Sequence, residues 1–142
     1  MIDLQAANHT NRELELMLAG RKPLAMFYDE ISCLPHEEII PESRFAQHVS
    51  SGKFVRGEEV FLGDYHSVLK RIEQIKYVFF ALAEESWRIP ALALLLRVRY
   101  QLRAFQSEEM ERIESYLLGY TPEEIDAWCD YRFRRDVRLL SE

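Results

Sequence analysis

Cysteine is scarce in this chain, with only Cys33 and Cys129 among 142 residues. So few thiols exclude a disulfide-held secreted scaffold and fit a reducing compartment. Glycine and proline number five each and stand singly. That excludes a flexible linker, a low-complexity tract and a repeat array. No glycine-rich phosphate loop occurs, and neither Gly-x-Ser-x-Gly nor His-Glu-x-x-His is present. None of the four histidines follows a glutamate by three positions, so the helical di-iron signature is missing too.

Long apolar runs are also missing. The most apolar stretch, 77–96, is broken by Glu84, Glu85 and Arg88 and meets Pro90. Neither half reaches the ~20 residues that a membrane helix needs. The opening Met1-Ile2-Asp3-Leu4-Gln5 has no basic segment before an apolar one, so it does not read as a secretory leader. The expectation is a cytoplasmic protein without membrane contact.

The composition that remains is globular. Hydrophobic residues make up 48%, charged residues 30% and aromatics 12%, enough for a core without staples. A single domain over 1–142 is expected. The net charge of −6 makes nucleic acid and anionic lipid poor partners.

Local signals suggest the elements. Thr10-Asn11-Arg12-Glu13 reads as a capping box, followed by a helix that Gly20 ends. Pro23–Tyr28 reads as a short strand, and 41–48 as a short helix ended by Gly52. Lys53–Leu62 reads as a hairpin or a bulged strand. From Asp64, the residues Val68, Ile72, Ile75, Phe79 and Leu82 follow helical spacing, and Ala91, Leu95, Val98, Leu102 and Phe105 repeat it. These predict an antiparallel pair of long helices at the centre of the domain. Ser107 caps a further helix, and Thr121-Pro122-Glu123-Glu124 opens the last. The expected fold is α+β and predominantly α. It is a bundle of four to five helices with a small two- or three-stranded sheet in the N-terminal third.

Candidate chemistry is sparse. Cys33-Leu34-Pro35-His36 has the spacing of half a zinc site, but no second pair completes it, so no metal and no cofactor are expected. Cys33 beside His36 lacks a third group to orient a thiol and a base. Cys129 falls on an apolar helical stripe and reads as a small core residue. No catalytic residues are therefore assigned, and an enzyme is the less expected outcome.

Two arginine groups stand out. Arg99 and Arg103 are i, i+4 neighbours, and no acid lies between Pro90 and Gln106. With Tyr100 and His66 they would suit a small anionic ligand. The plainer reading pairs them with acids on neighbouring elements. Arg134, Arg135 and Arg138 share a face with Tyr131 on the last helix. That face and the exposed apolar Trp87 would suit a protein partner. The leading expectation is a protein-interaction or regulatory module that self-associates as a homodimer. A small-anion site around Arg99 and Arg103 is the alternative.

Overall fold

The fold was analysed in a computed structural model, which describes residues 2–31 and 36–140, the side chains at 6 and 135–140 excepted. The elements run α1 (Leu4–Ala7), α2 (Glu13–Leu18), β1 (Leu24–Glu30), α3 (His36–Ile39), α4 (Glu42–Ser50), β2 (Phe54–His66) and β3 (Arg71–Leu82). A 3₁₀ turn at Ala83–Glu85 leads to α5 (Arg88–Gln101), α6 (Glu108–Leu117) and α7 (Pro122–Leu140).

The sheet is antiparallel in the order β1-β3-β2, so β3 is the central strand. This corrects the helical bundle with a small sheet in the N-terminal third. The segment 71–82, predicted as half of a helix pair, is a strand, and the sheet sits mid-chain. The reason is burial on both faces. Val78, Phe80 and Leu82 pack with Met17 of α2 and Phe45 of α4. Tyr77, Phe79 and Ala81 pack with Leu92 and Leu96 of α5 and Leu117 of α6. A strand covered twice is a continuous apolar run and loses its alternation. The bulky aromatic and β-branched composition of Tyr77-Val78-Phe79-Phe80 suits that pleated position. Each fully buried Phe contributes roughly 1.5–3 kcal/mol of transfer free energy.

Lys53–Leu62 is one arm of a hairpin whose other arm is β3. The register slips between Leu62 and Tyr65, where a bulge interrupts β2. Gly57 faces Phe79 across the ladder, and a Cβ there would lie 2.7 Å from Ile89 of α5. This glycine lets α5 lie close on the sheet.

The helix ends obey local chemistry. Ser107 Oγ accepts from Met110 N at 3.2 Å. The Thr121 and Glu124 backbone and side-chain groups bond reciprocally at 2.8 and 3.2 Å. The Thr10 box does not form. Thr10 bonds Asn8 Oδ1 instead, and α2 starts after Arg12 without a side-chain cap. Pro90 lies in the first turn of α5, where its missing N–H costs little. The helix stops at Gln101, and Arg103 takes a positive φ of 53°.

Among the described residues, no helix is long and apolar enough to cross a membrane.

Candidate functional site

Two features stand out: a bare apolar face and a polar cleft. The apolar face belongs to the β2–β3 hairpin. Its even-numbered ladder positions, from Phe54 opposite Leu82 to Leu62 opposite Gln74, share the face that α2 and α4 cover. The bulge changes the phase, so Tyr65, opposite Ile72, joins that face. Beyond α4 the described residues leave this stripe largely exposed, with Ile31 and His36 beside Val60. Val60, Leu62, Tyr65 and Ile72 are 48%, 54%, 63% and 52% exposed. The hairpin turn adds exposed Val68 and Leu69, followed by Lys70 and Arg71. The opposite face is closed: Phe61 is buried against Tyr77 and Tyr100.

The cleft lies between α1, α6 and α7, with a volume of about 270 Å³. Leu4, Leu118 and Ile125 give it apolar walls, and Trp128 and Tyr120 give it aromatic ones. Three carboxylates line it, those of Glu111, Glu114 and Glu124. Glu111 is fully engaged. Its Oε1 accepts from Trp128 Nε1 at 2.8 Å, and its Oε2 accepts from Arg132 at 2.5 Å and Gln106 at 3.2 Å. Glu114 Oε2 accepts from Arg99 and Gln106, both at 2.8 Å. Glu124 Oε1 accepts from Thr121 N. Among the described residues, no hydrogen bond reaches Glu114 Oε1 or Glu124 Oε2.

Behind Tyr120 lies a buried cation. Lys22 is 2% exposed, and its Nζ donates to the Leu118 carbonyl at 2.6 Å and to His9 Nδ1 at 2.9 Å. Donation by the ammonium makes Nδ1 the acceptor, which leaves the ring proton on Nε2. His9 stacks on Tyr120 at 3.9 Å, and Lys22 sits 5.4 Å from the same ring centre. Burial lowers Lys22 to about 7. Burial, and then the Lys22 charge, lower His9 to about 4. Burial raises the Tyr120 hydroxyl.

The residues singled out in the sequence fall apart in space. Arg99 holds Glu114 on α6, while Arg103 holds Asp64 on β2 at 3.2 Å. The Tyr100 hydroxyl meets the Tyr77 hydroxyl at 2.8 Å, and His66 Nδ1 accepts from Leu69 N at 3.1 Å. No described contact joins two of Arg99, Arg103, Tyr100 and His66 on a shared acceptor. Trp87 is half-exposed, with Nε1 on Glu85, whereas Leu92, Ala93 and Leu96 beyond it are buried. Tyr131 stacks on Trp128, and Arg134 holds Asp130 and Glu108. The side chains of Arg135 and Arg138 lie outside the described residues, as does Cys33. His36 Nε2 is 2.9 Å from Glu42. Among the described residues, no three His, Cys, Asp or Glu side chains cluster as a metal site.

Sequence reasoning missed Lys22 and Glu111, and it offered Glu114 only as one candidate partner for the central arginines. Lys22 and its acceptor Leu118 are 96 positions apart, so no local pattern announces them. A single lysine just before the apolar strand β1 is the only trace. No known family model matches this chain, and no curated protein or solved structure matches it either.

Proposed function

We propose that this protein works as an interaction module that self-associates through the bare face of its β2–β3 hairpin. The observation that carries the reading is the Val60, Leu62, Tyr65 and Ile72 stripe, which continues a core face past the point where α4 ends. Exposed apolar groups that adjoin one another are the usual mark of a contact surface. A lone two-stranded hairpin is marginal in water, so a covering partner would stabilise its distal half.

A second copy suits the stripe as that partner, since its charged neighbours are satisfied within the chain: Arg56 and Lys76 hold Glu58, and the surface left for contact is apolar. A two-fold axis near Leu62 sets the turn of one copy against the base of the other. Such an isologous contact is self-complementary, with the apolar stripe of each copy covering that of the other.

Sedimentation velocity from 2 to 200 μM tests this. Wild type is expected to move from monomer to dimer across the range, and Leu62→Lys with Ile72→Lys is expected to stay monomeric. A wild type that is monomeric at 200 μM, or a double variant that dimerises equally well, overturns the reading.

A further inference from the structure

We propose that the cleft between α1, α6 and α7 is a binding site for a small organic ammonium ion. Its walls select for charge. Three carboxylates line it, and among the described residues no lysine, arginine or histidine does. Arg99 and Arg132 neutralise two of them, Glu114 and Glu111. The third, Glu124, has no cation within ion-pair reach among the described residues, so the lining keeps one unbalanced negative charge. The oxygens left over are acceptors, Glu114 Oε1 and Glu124 Oε2. An ammonium group supplies up to three donors and no acceptor, which matches that surplus. An anion meets a carboxylate lining and is rejected.

The rest of the wall favours an organic cation over a bare metal ion. Glu124 and Trp128 lie one turn apart on α7, so they fall on one face of the helix. An indole ring attracts a cation over its face. Glu111 fixes that indole through its Nε1, so the ring is already oriented. Leu4, Leu118 and Ile125 offer an apolar channel for an alkyl chain. At about 270 Å³ the cleft lies just below the volumes of drug-sized sites. This fits a ligand the size of a short alkylamine. The Lys22 amine lies beyond the Tyr120 ring, hydrogen-bonded to Leu118 and His9. It therefore does not occupy the Glu124–Trp128 end.

Two-dimensional amide NMR with n-butylammonium chloride, n-butanol and sodium butyrate tests the proposal at matched ionic strength. Butylammonium is expected to give saturable shifts over residues 111–128. Butanol and butyrate are expected to bind at least ten-fold more weakly. Glu124→Gln removes the unbalanced charge, yet its amide oxygen can still serve the capping box. It is expected to weaken butylammonium at least five-fold. Glu15→Gln, on the exposed side of α2, is expected to change nothing.

Equal binding of butanol and butylammonium overturns the proposal, since the cleft would then be merely apolar. Equal losses in Glu124→Gln and Glu15→Gln also overturn it, since the attraction would then be diffuse. If Glu124→Gln does not fold, wild type decides alone. Raising sodium chloride from 20 to 200 mM is expected to weaken butylammonium and spare butanol, and salt-independent butylammonium binding counts against the site. Dimerisation through the hairpin involves none of these residues, so the two proposals fail separately.

Discussion

Lys22 Nζ donates to the Leu118 carbonyl at 2.6 Å, joining the chain two residues before β1 to the end of α6. The bond spans the chain, and it holds a buried amine whose charged form is disfavoured in the fold. The linkage to pH follows. The amine titrates at about 7 in the folded chain and at 10.5 in the unfolded one. Between those values the unfolded chain binds more protons, so stability rises as pH climbs from about 7 towards 10. One pKa unit is about 1.4 kcal/mol, so the whole window is worth on the order of 5 kcal/mol. Urea denaturation at pH 7.0 and 9.5 is expected to give a higher midpoint at 9.5. Lys22→Met should flatten that rise, and an unchanged slope in the variant would refute the assignment.

His9 gives the same sign in another window. It titrates at about 4 when folded and 6.5 when unfolded. Protonation therefore favours unfolding between these values, and stability should fall as pH drops from 6.5 to 4. His9→Gln should lessen that fall. Denaturation midpoints at pH 4.5 and 6.5 would show it, measured beside Lys22→Met so that the two titrations are separated.

Gly119 and Gly20 end α6 and α2 with positive φ angles of 92° and 71°. They differ in what surrounds them. A Cβ at Gly119 would lie 2.4 Å from Pro23 Cδ, whereas a Cβ at Gly20 meets nothing within 4 Å. Gly20→Ala should therefore cost only the left-handed backbone, about 1 kcal/mol. Gly119→Ala adds a clash with a rigid ring, a fault of the overpacking kind that typically costs a further 1–3 kcal/mol. Thermal melts of the two variants should separate by several degrees, with Gly119→Ala lower. Equal melting temperatures would mean that the Pro23 contact relaxes freely.

The sequence showed its local rules well and its long-range ones poorly. Ser107 and Thr121 are legible as caps because their partners lie three residues away. β1 is legible because Pro23 announces it. β3 was not, for a physical reason. Val68, Ile72, Ile75, Phe79 and Leu82 keep helical spacing by coincidence, while helix formers such as Glu73, Gln74 and Lys76 fill the gaps. The discriminating signal was the unbroken bulky run 77–82, too short for a buried helix and rich in strand formers. With β3 misread, the bare hairpin face could not be seen. The polar cleft is assembled from α1, α6 and α7, so its carboxylates gave no pattern in one segment. Arg99 has no acid on its own helix, and its partner Glu114 lies on α6.

Stability along β3 should be graded. Residues 77–82 are buried under helices on both faces, while Ile72 stands beyond β1 in the two-stranded part, past the last bond from the β1 side, Ile31 N to the Gln74 carbonyl. Amide exchange should therefore be slow at 78–81 and faster at 66–74, since local opening follows local burial. If the hairpin face is covered by a second copy, exchange at 62–72 should slow with protein concentration while 78–81 does not change. Hydrogen exchange read by mass spectrometry at 2 and 200 μM distinguishes these. Uniform protection along the whole strand would contradict the grading.

Arg88 and Arg112 offer a last test, of buried against exposed guanidinium. Arg88 is 9% exposed and opens α5. Its Nη1 donates to the Tyr116 and Leu117 carbonyls at 3.0 and 3.2 Å, and its Nε donates to Glu85 at 2.9 Å. The Trp87 and Tyr116 rings lie 4.8 and 5.1 Å from it. It therefore satisfies the Leu117 carbonyl, which α6 leaves unpaired at its end, and adds a second donor to the Tyr116 carbonyl, which already accepts from Gly119 N. Lysine has neither the fork nor the flat face, so Arg88→Lys should cost about 1–2 kcal/mol, the worth of one lost charged hydrogen bond. Arg88→Ala should cost about 3 kcal/mol, because it strands the Leu117 carbonyl, frees the Glu85 carboxylate and removes the stem. Arg112 also holds two acids, Glu108 and Asp126, but at the surface. Exposed pairs are worth at most about 1 kcal/mol, so Arg112→Ala should barely move the melt. Salt should separate them as well: 0.5 M sodium chloride should erase the Arg112 effect and leave most of that at Arg88. Comparable losses at both positions would show that the Arg88 bonds add nothing beyond an ordinary surface pair.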